Sequence, residues 1–317
     1  MNTIVYTHIA VGNVNIDITL YTEKPLQIGD TVLANSLKIR PGGAALNYAV
    51  TVAQYGHGVY LVARASSHVL ARKVLEKIKQ YGVRVESVKL VEGAPGVVLV
   101  LVDKSGERTM IKFPGVNEEL KPSDLELSLL RGAHVLHVAS VKPDAALGFL
   151  ELGSREGIVT TLDPGGYVAE WSSDLLVKAL KHTHTLFLNE QSFCAQFRAL
   201  SVDKFFKYGL SVLVIKRGGK GAVVLTQSRC YSGYAEPIKR VVDTTGAGDA
   251  FNALFNAKYL ESKDPGLSLV YGLAAGTLKT GFRGSFMKWN SKLFELQLEK
   301  VVVERRSCSE VVLCTES

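Results

Sequence analysis

From about residue 130 onward the chain alternates short, continuously apolar runs with stretches of helical period, and this alternation constrains the fold more than any other feature. Segments 135–138, 158–162, 185–188 and 212–215 read as strands, and helices are predicted over about 143–155, 173–181, 247–262, 266–280 and 291–303. A strand without polar alternation needs cover on both faces, and interposed helices provide it when neighbouring strands run parallel. The predicted class is therefore α/β, a doubly wound, mostly parallel sheet with helices on both faces. Ligands of such sheets bind at the carboxyl ends of the strands, where the glycine-rich turns and Asp163-Pro164 fall.

The first third departs from this pattern. Segment 18–39 is rich in Thr, Val and Ile with little helical period, and 96–102 with 108–113 reads as a hairpin around Asp103-Lys104-Ser105-Gly106. These pieces are expected to form a small β lid from two insertions, 18–40 and 93–114, on an α/β core made of 1–17, 41–92 and 115–317. No repeat or linker interrupts the chain, and only the stretch after about Val303 looks appended.

Chemistry enters at Val241-Val242-Asp243-Thr244-Thr245-Gly246-Ala247-Gly248-Asp249-Ala250-Phe251. Glycines at 246 and 248 bare the backbone directly before a predicted helix, so several N–H groups and the positive end of the helix dipole face one spot, a site for an anion. A carboxylate beside such a site opposes binding unless it has chemistry to perform. Asp249 fits the base that takes the proton from a hydroxyl attacking a γ-phosphoryl group, while the amides of Gly246, Ala247 and Gly248 take up charge on the transferring oxygens. The plainer alternative is a first-turn Asp in a tight strand-to-helix connection. The chain has no G-x-x-x-x-G-K-[ST] loop and no strand-G-x-G-x-x-G-helix unit, which excludes Walker-type and dinucleotide folds.

Near the N-terminus, Asn15 and Asp17 lie two apart at a strand end, hence on one face, where an amide and a carboxylate can hold vicinal hydroxyls. A turn-capping Asp is the competing reading. Gly42 and Gly43 would let a substrate approach the backbone, with Asn47 about one helical turn further on the same side.

These segments carry a resemblance. The 243–251 stretch is similar to the second signature of the ribokinase-like (PfkB) carbohydrate kinases, and Arg40-Pro41-Gly42-Gly43-Ala44-Ala45-Leu46-Asn47 to the first. Weaker matches follow in the family's order: Gly12-Asn13-Val14-Asn15-Ile16-Asp17, Pro114-Gly115-Val116-Asn117, Asp163-Pro164-Gly165, Asn189-Glu190 and Lys216-Arg217-Gly218-Gly219-Lys220-Gly221. The resemblance spans about 4–303 and implies an ATP-dependent kinase acting on a primary hydroxyl of a small sugar, with Asn15, Asp17, Gly42, Gly43 and Asn47 on the acceptor. It implies that the Lys216, Gly218 and Gly221 loop passes along the ATP ribose and adenine, and that Asn189 organises Mg2+ and its waters. The family's Asn-x-x-Glu ends here in Ser192, leaving Glu190 or Asp163 as substitutes. It also implies a K+-like ion beside the turn, held mostly by carbonyls around Asp243, Thr245 and the Arg283-Gly284-Ser285 loop. A lid suits such an enzyme because shedding water suppresses ATP hydrolysis.

Departures bear on the acceptor. The family's Gly-Asp-Asp-x-x-Gly turn is replaced by Ser66-Ser67-His68-Val69-Leu70-Ala71, an acidic residue common in ribokinases is Ala139, and a Gly five after the base is Leu254. Together with a resemblance to archaeal nucleoside kinases, these leave a nucleoside acceptor as an alternative, and a non-catalytic sugar or nucleotide sensor as another.

Composition bounds the rest. With 47% hydrophobic and 21% charged residues in 317, the chain is an ordinary globular one. No apolar run approaches the ~18 residues that span a bilayer, and the N-terminus lacks a basic-then-apolar leader, so no membrane partner and a cytoplasmic location are expected. The net charge of +7 is scattered, which favours a solvated surface and a nucleotide pocket over nucleic acid. The four cysteines show no C-x-x-C spacing, and Cys308 with Cys314 can close a small tail loop. Pairs His182/His184 and His134/His137 read as packing, and the aromatics of 193–208 as a helix face before a base-stacking platform. An open lid edge suggests a homodimer through the lid.

Overall fold

The computed structural model describes residues 6–29, 31–105, 108–198, 200–308 and 313–314. Gly106 of the predicted hairpin turn, the first five residues of the expected core and most of the tail after Cys308 lie outside this set. Fourteen strands are present among the described residues. β1 (Thr7–Gly12), β2 (Asn15–Thr22), β3 (Ala34–Gly42), β4 (Gly58–Ser66), β5 (Val88–Val91), β6 (Gly96–Val102) and β7 (Arg108–Phe113) come first. β8 (Val135–Ala139), β9 (Val159–Asp163), β10 (Thr185–Asn189), β11 (Val212–Lys216), β12 (Ala222–Leu225), β13 (Cys230–Ala235) and β14 (Val301–Arg306) follow.

Ten of them form one sheet in the order β14-β13-β12-β11-β10-β9-β8-β1-β4-β5, parallel from β11 through β5. The central strands are buried throughout, as their unbroken apolar runs require: Val135, Leu136, Leu186, Phe187, Val214 and Ile215 are inaccessible. Helices lie against both faces; the helix Ala44–Tyr55 packs with β1 and with the helix Ala247–Ser262, while Pro143–Arg155 packs on β8 and β9. From β1 the chain builds outward to β4 and β5 on one side, and from β8 to β11 on the other. The strand order therefore reverses between β1 and β8, the place where such sheets open a crevice. Register brings Gly12, Ala139 and Asp163 level with one another at the carboxyl ends.

The remaining strands form a separate four-stranded sheet, β3-β2-β6-β7, entered directly from β1 through Asn13-Val14. Register places Asp17 opposite Arg40 and Asn15 opposite Gly42. Asp17, Thr19 and Tyr21 share one face, with Val100 and Val102 beside them, and this face closes over the crevice. Leu37, Ile39, Ile111 and Phe113 are exposed.

Two expectations at the C-terminal end are corrected. The helix predicted over 291–303 stops at Leu298, and Val301-Val302-Val303, a β-branched run, instead adds β14 to the open edge of β13. Of the stretch after Val303, Glu304, Arg305 and Arg306 are consequently part of the sheet. Cys308 and Cys314 do not pair with each other either: Cys230 bonds Cys308 and Cys194 bonds Cys314, with Cα separations of 5.3 and 5.7 Å. No helix among the described residues is long and apolar enough to cross a membrane.

The histidines and aromatics are structural. His137 stacks on Tyr48 with ring centroids 4.1 Å apart and bonds Thr161, and Phe193, Phe197 and Phe205 are buried in the core, which removes the base-stacking platform. No group of three metal-binding side chains occurs among the described residues.

Candidate active site

The turn before the helix Ala247–Ser262 is held by one conformational demand. Gly246 caps the helix at φ 78°, and a β-carbon there would lie 1.9 Å from the Ser285 carbonyl, so only glycine fits. The Ala247 N–H closes a turn onto Thr244 O at 3.2 Å, which withdraws one predicted amide. Gly248 and Asp249 stand in the first helical turn, where no carbonyl one turn back is available within the helix.

Asp249 stands in the first turn of that helix and is partly exposed. Its Oδ2 accepts a 2.7 Å hydrogen bond from Asn47 Nδ2, which unites two predicted site residues 202 positions apart. Burial raises the Asp249 carboxyl, with the nearby Asp163 charge adding to it, and the Asn47 bond and the Lys216 and Lys279 charges opposing; the outcome is about 6. Asp17 is likewise pushed up to about 6, chiefly by burial.

The acceptor-side residues converge. Gly42 lies so near Asp17 that a β-carbon would come within 2.1 Å of the carboxylate, so the signature glycine leaves room for the acid. Ser285 Oγ donates weakly to Asp17 Oδ2 at 3.5 Å. Asp17 Oδ1 and Asn47 Oδ1 are both buried and unpartnered. Asn15 is held by Asn117, whose Nδ2 donates to Asn15 Oδ1 at 2.8 Å while its Oδ1 accepts from Val14 N at 3.1 Å. Asn117, part of a weak motif match, is thus the residue that fixes Asn15.

Beneath the turn lies a cluster that sequence reasoning assigned differently. Lys216 Nζ donates to Asp163 Oδ2 at 2.8 Å and to Asn252 Oδ1 at 3.0 Å, and Asn252 Nδ2 closes the ring on Asp163 Oδ2 at 2.7 Å. A β-carbon on Gly248 would sit 3.4 Å from that ammonium. Lys216 therefore points under the anion turn rather than along the 218–221 loop. Asn252 was missed, although an Asn three residues after Asp249 in an apolar helix segment is the available signal. Asp163 Oδ1 also accepts from Gly165 N, so its carboxylate meets three donors, two of them on Oδ2.

On the far side of the crevice, Asn189 Oδ1 caps the short helix Glu190–Ser192 by accepting from Ser192 N at 2.6 Å. Glu190 forms an ion pair with Arg217 at 3.2 Å. Gly218 is in the open turn after β11, whereas Gly221 is buried against the Gly233 carbonyl. Asp243 accepts from Thr245 N and from Gly284 N, both at 2.9 Å, and so ties the turn to the 283–285 loop. The substituted turn at 66–71 is a helix start, with His68 capping Val69–Lys79 through Leu70 N.

Two adjoining cavities open from this region. One, approximately 280 Å3, is lined by Asp17, Thr19, Tyr21, Arg40, Asp243 and Ser285 among others. The next, approximately 490 Å3, shares Tyr21 and Asp243 and brings Lys38, Arg240 and Arg283 to its walls.

Known proteins resemble this chain over most of its length. Residues 7–286 match the pfkB family carbohydrate kinase model. An ATP-dependent ribose-1-phosphate kinase from Halopiger xanaduensis is 30% identical over 285 residues, covering 87% of this chain and 93% of that protein. Ribokinase from Arabidopsis thaliana is 26% identical, covering 92% of this chain and 80% of its own. Among solved structures, Thermotoga maritima ribokinase is 26% identical with a TM-score of 0.82, covering 93% of this chain and 100% of that one. The nucleoside kinase of Methanocaldococcus jannaschii superposes at 0.84 with 21% identity, over 93% and 99% of the two chains, a likeness of fold. With a crevice at the strand-order reversal, an acid beside a bared helix start and a family match over most of its length, the chain belongs to the pfkB carbohydrate kinases and is an ATP-dependent sugar kinase.

Proposed function

We propose that the enzyme phosphorylates a primary hydroxyl of a furanose, with Asp249 as the base. The observation that carries this reading is the pair of buried, unpartnered acceptors, Asp17 Oδ1 and Asn47 Oδ1, on two residues that neighbour Asp249. Unmet acceptors of this kind cost roughly 1–3 kcal/mol each, a cost that sugar hydroxyl donors offset on binding. Asn15, Gly42 and Gly43 complete the acceptor wall. As the hydroxyl attacks the γ-phosphorus and ADP departs, Asp249 takes its proton, the Gly246 and Gly248 amides receive the phosphoryl oxygens, and Lys216, aimed by Asp163 and Asn252, supplies positive charge from below. ATP lies over β10 and β11, against Asn189 and Gly218, while the buried Gly221 shapes the turn.

Mg2+ would enter with the nucleotide and spread the phosphate charge. With Asp163 Oδ2 engaged by Lys216 and Asn252 and Ser192 lacking a carboxylate, Asn189 and Glu190 would meet it through its waters, in keeping with the few protein ligands magnesium commonly takes. The four-stranded sheet, 18–40 with 93–114, serves as the lid, and its exposed Leu37, Ile39, Ile111 and Phe113 suit a lid-to-lid homodimer.

A second reading refines the acceptor. Lys38, Arg40, Arg240 and Arg283 line the two cavities that open beside Asp17. Such walls favour a furanose that already carries a phosphate remote from the reacting hydroxyl, the substrate named for the Halopiger xanaduensis relative. An acceptor panel of ribose, ribose 1-phosphate, fructose, adenosine, guanosine and cytidine tests both readings. Phosphorylation of a sugar or sugar phosphate with kcat/KM at least tenfold above every nucleoside is expected, and a nucleoside as best acceptor would overturn it.

A pH dependence follows from the same groups. Asp249 must be ionised to accept a proton and Asp17 to accept hydroxyl hydrogen bonds, and both titrate near 6. Lowering the pH below about 6 should cut kcat/KM about tenfold per unit, and more steeply where the coupled pair protonates together. A profile flat from pH 5 to 8 would exclude a carboxylate base of this kind.

A further inference from the structure

Lys279 ends the helix Pro265–Lys279 with no solvent exposure, an expensive place for an ammonium unless its donors are met. Its Nζ donates to the Asp243 carbonyl at 2.8 Å and to the Phe282 carbonyl at 3.3 Å. Those carbonyls belong to the two segments that meet behind the anion turn, 243–246 and 282–285. The same two segments are pinned by the Asp243 carboxylate on Gly284 N and by the close approach of Gly246 to Ser285 O. Carbonyl oxygens converging from unwound backbone, with a carboxylate beside them, are the donor set of a monovalent cation. Here the chain's own ammonium occupies that position, so the K+-like ion implied by the family resemblance does not fit these carbonyls.

We infer that Lys279 is a built-in monovalent cation, a positioning residue that holds the 243–246 turn against the 282–285 loop and frees the enzyme from any requirement for added K+. It acts through the turn and touches no substrate. The inference rests on the reading of that turn as the phosphoryl site, but its ion-binding half does not.

The test begins with the wild-type enzyme, assayed in tetramethylammonium chloride and in KCl at equal ionic strength. Rates are expected to agree within about twofold, and any larger activation by K+ overturns the inference. Lys279→Met keeps the bulk and removes the charge. Its turnover should fall about tenfold or more in tetramethylammonium and recover with K+ or NH4+, whereas a loss that no ion restores, or no loss at all, overturns the inference. Thermal melting gives a readout free of catalysis: KCl should stabilise Lys279→Met over tetramethylammonium chloride and leave the wild type unmoved. Lys279→Gln serves in the same assays if the methionine variant fails to fold, and the wild-type comparison decides even if neither folds. Should no acceptor be phosphorylated, the proposed function fails, while the melting comparison still decides the role of Lys279.

Discussion

Asp249→Asn is expected to lower turnover by about two to four orders of magnitude while ATP binding and the fold stay in place. The replacement is isosteric, and its amide oxygen still accepts from Asn47 Nδ2, the bond that ties the two signature segments together. What is lost is the carboxylate, bonded to Asn47, that takes the proton from the acceptor. The sign of the stability change separates chemistry from misfolding. Burial holds the Asp249 carboxyl at about 6 in the folded chain, against an ordinary 3.8, so between those values the unfolded chain releases a proton that the folded chain keeps. The ionised acid therefore costs stability at neutral pH, and Asp249→Asn should melt at the same temperature or higher. Turnover, nucleotide affinity and melting temperature measured together check this. Turnover within tenfold of the wild type would remove Asp249 as the base.

The fold was legible where periodicity is strong. The buried strands β8 to β11 have no polar alternation, so their parallel pairing and two-sided cover follow from burial alone. The helix over Ala247–Ser262 was recognisable from its glycine entry. Segment 301–303 misled because a β-branched run can continue a weak helical period, and only the unpaired edge of β13, invisible in sequence, makes it a strand. The cysteine partners were hidden for the same reason, since both bonds reach across more than 75 residues. In the crevice, spacing brought Asn15 and Asp17 onto one face, but only the fold places Asn47 on Asp249. Lys216 shows the limit most clearly: its sequence neighbours are a loop, yet its long side chain reaches the opposite way, to Asp163 and Asn252. A four-carbon stem makes the position of a lysine charge a property of tertiary structure.

Breaking the two disulfides should produce a large loss of stability. The Cys194–Cys314 bridge spans 120 residues and the Cys230–Cys308 bridge 78. In the chain-entropy account, constraining the unfolded state by loops of this length is worth about 4.5 to 5 kcal/mol for either bridge alone. The bridges are nested, so once the outer is closed the inner one completes a ring of roughly 40 residues, worth about 4 kcal/mol more. With an unfolding entropy of ~2.1 cal/mol/K per residue, a chain of 317 loses about 7 °C of melting temperature for one bridge and about 13 °C for both. The effect is local in the folded state, because Cys230 and Cys308 fasten the β13–β14 edge and Cys314 brings Leu313 onto the core cluster near Cys194. None of the hydrogen bonds that aim Asp249, Asp163 or Lys216 involves a cysteine or β14. Cys308→Ser with Cys314→Ser, or reduction of the wild type, should therefore lower the melting temperature by the amounts above and leave turnover at 25 °C within about twofold. Melting curves with and without reductant, beside a thiol count on the unreduced, denatured chain, check it. Four titratable thiols and superimposable curves would show that the tail is held by β14 pairing alone.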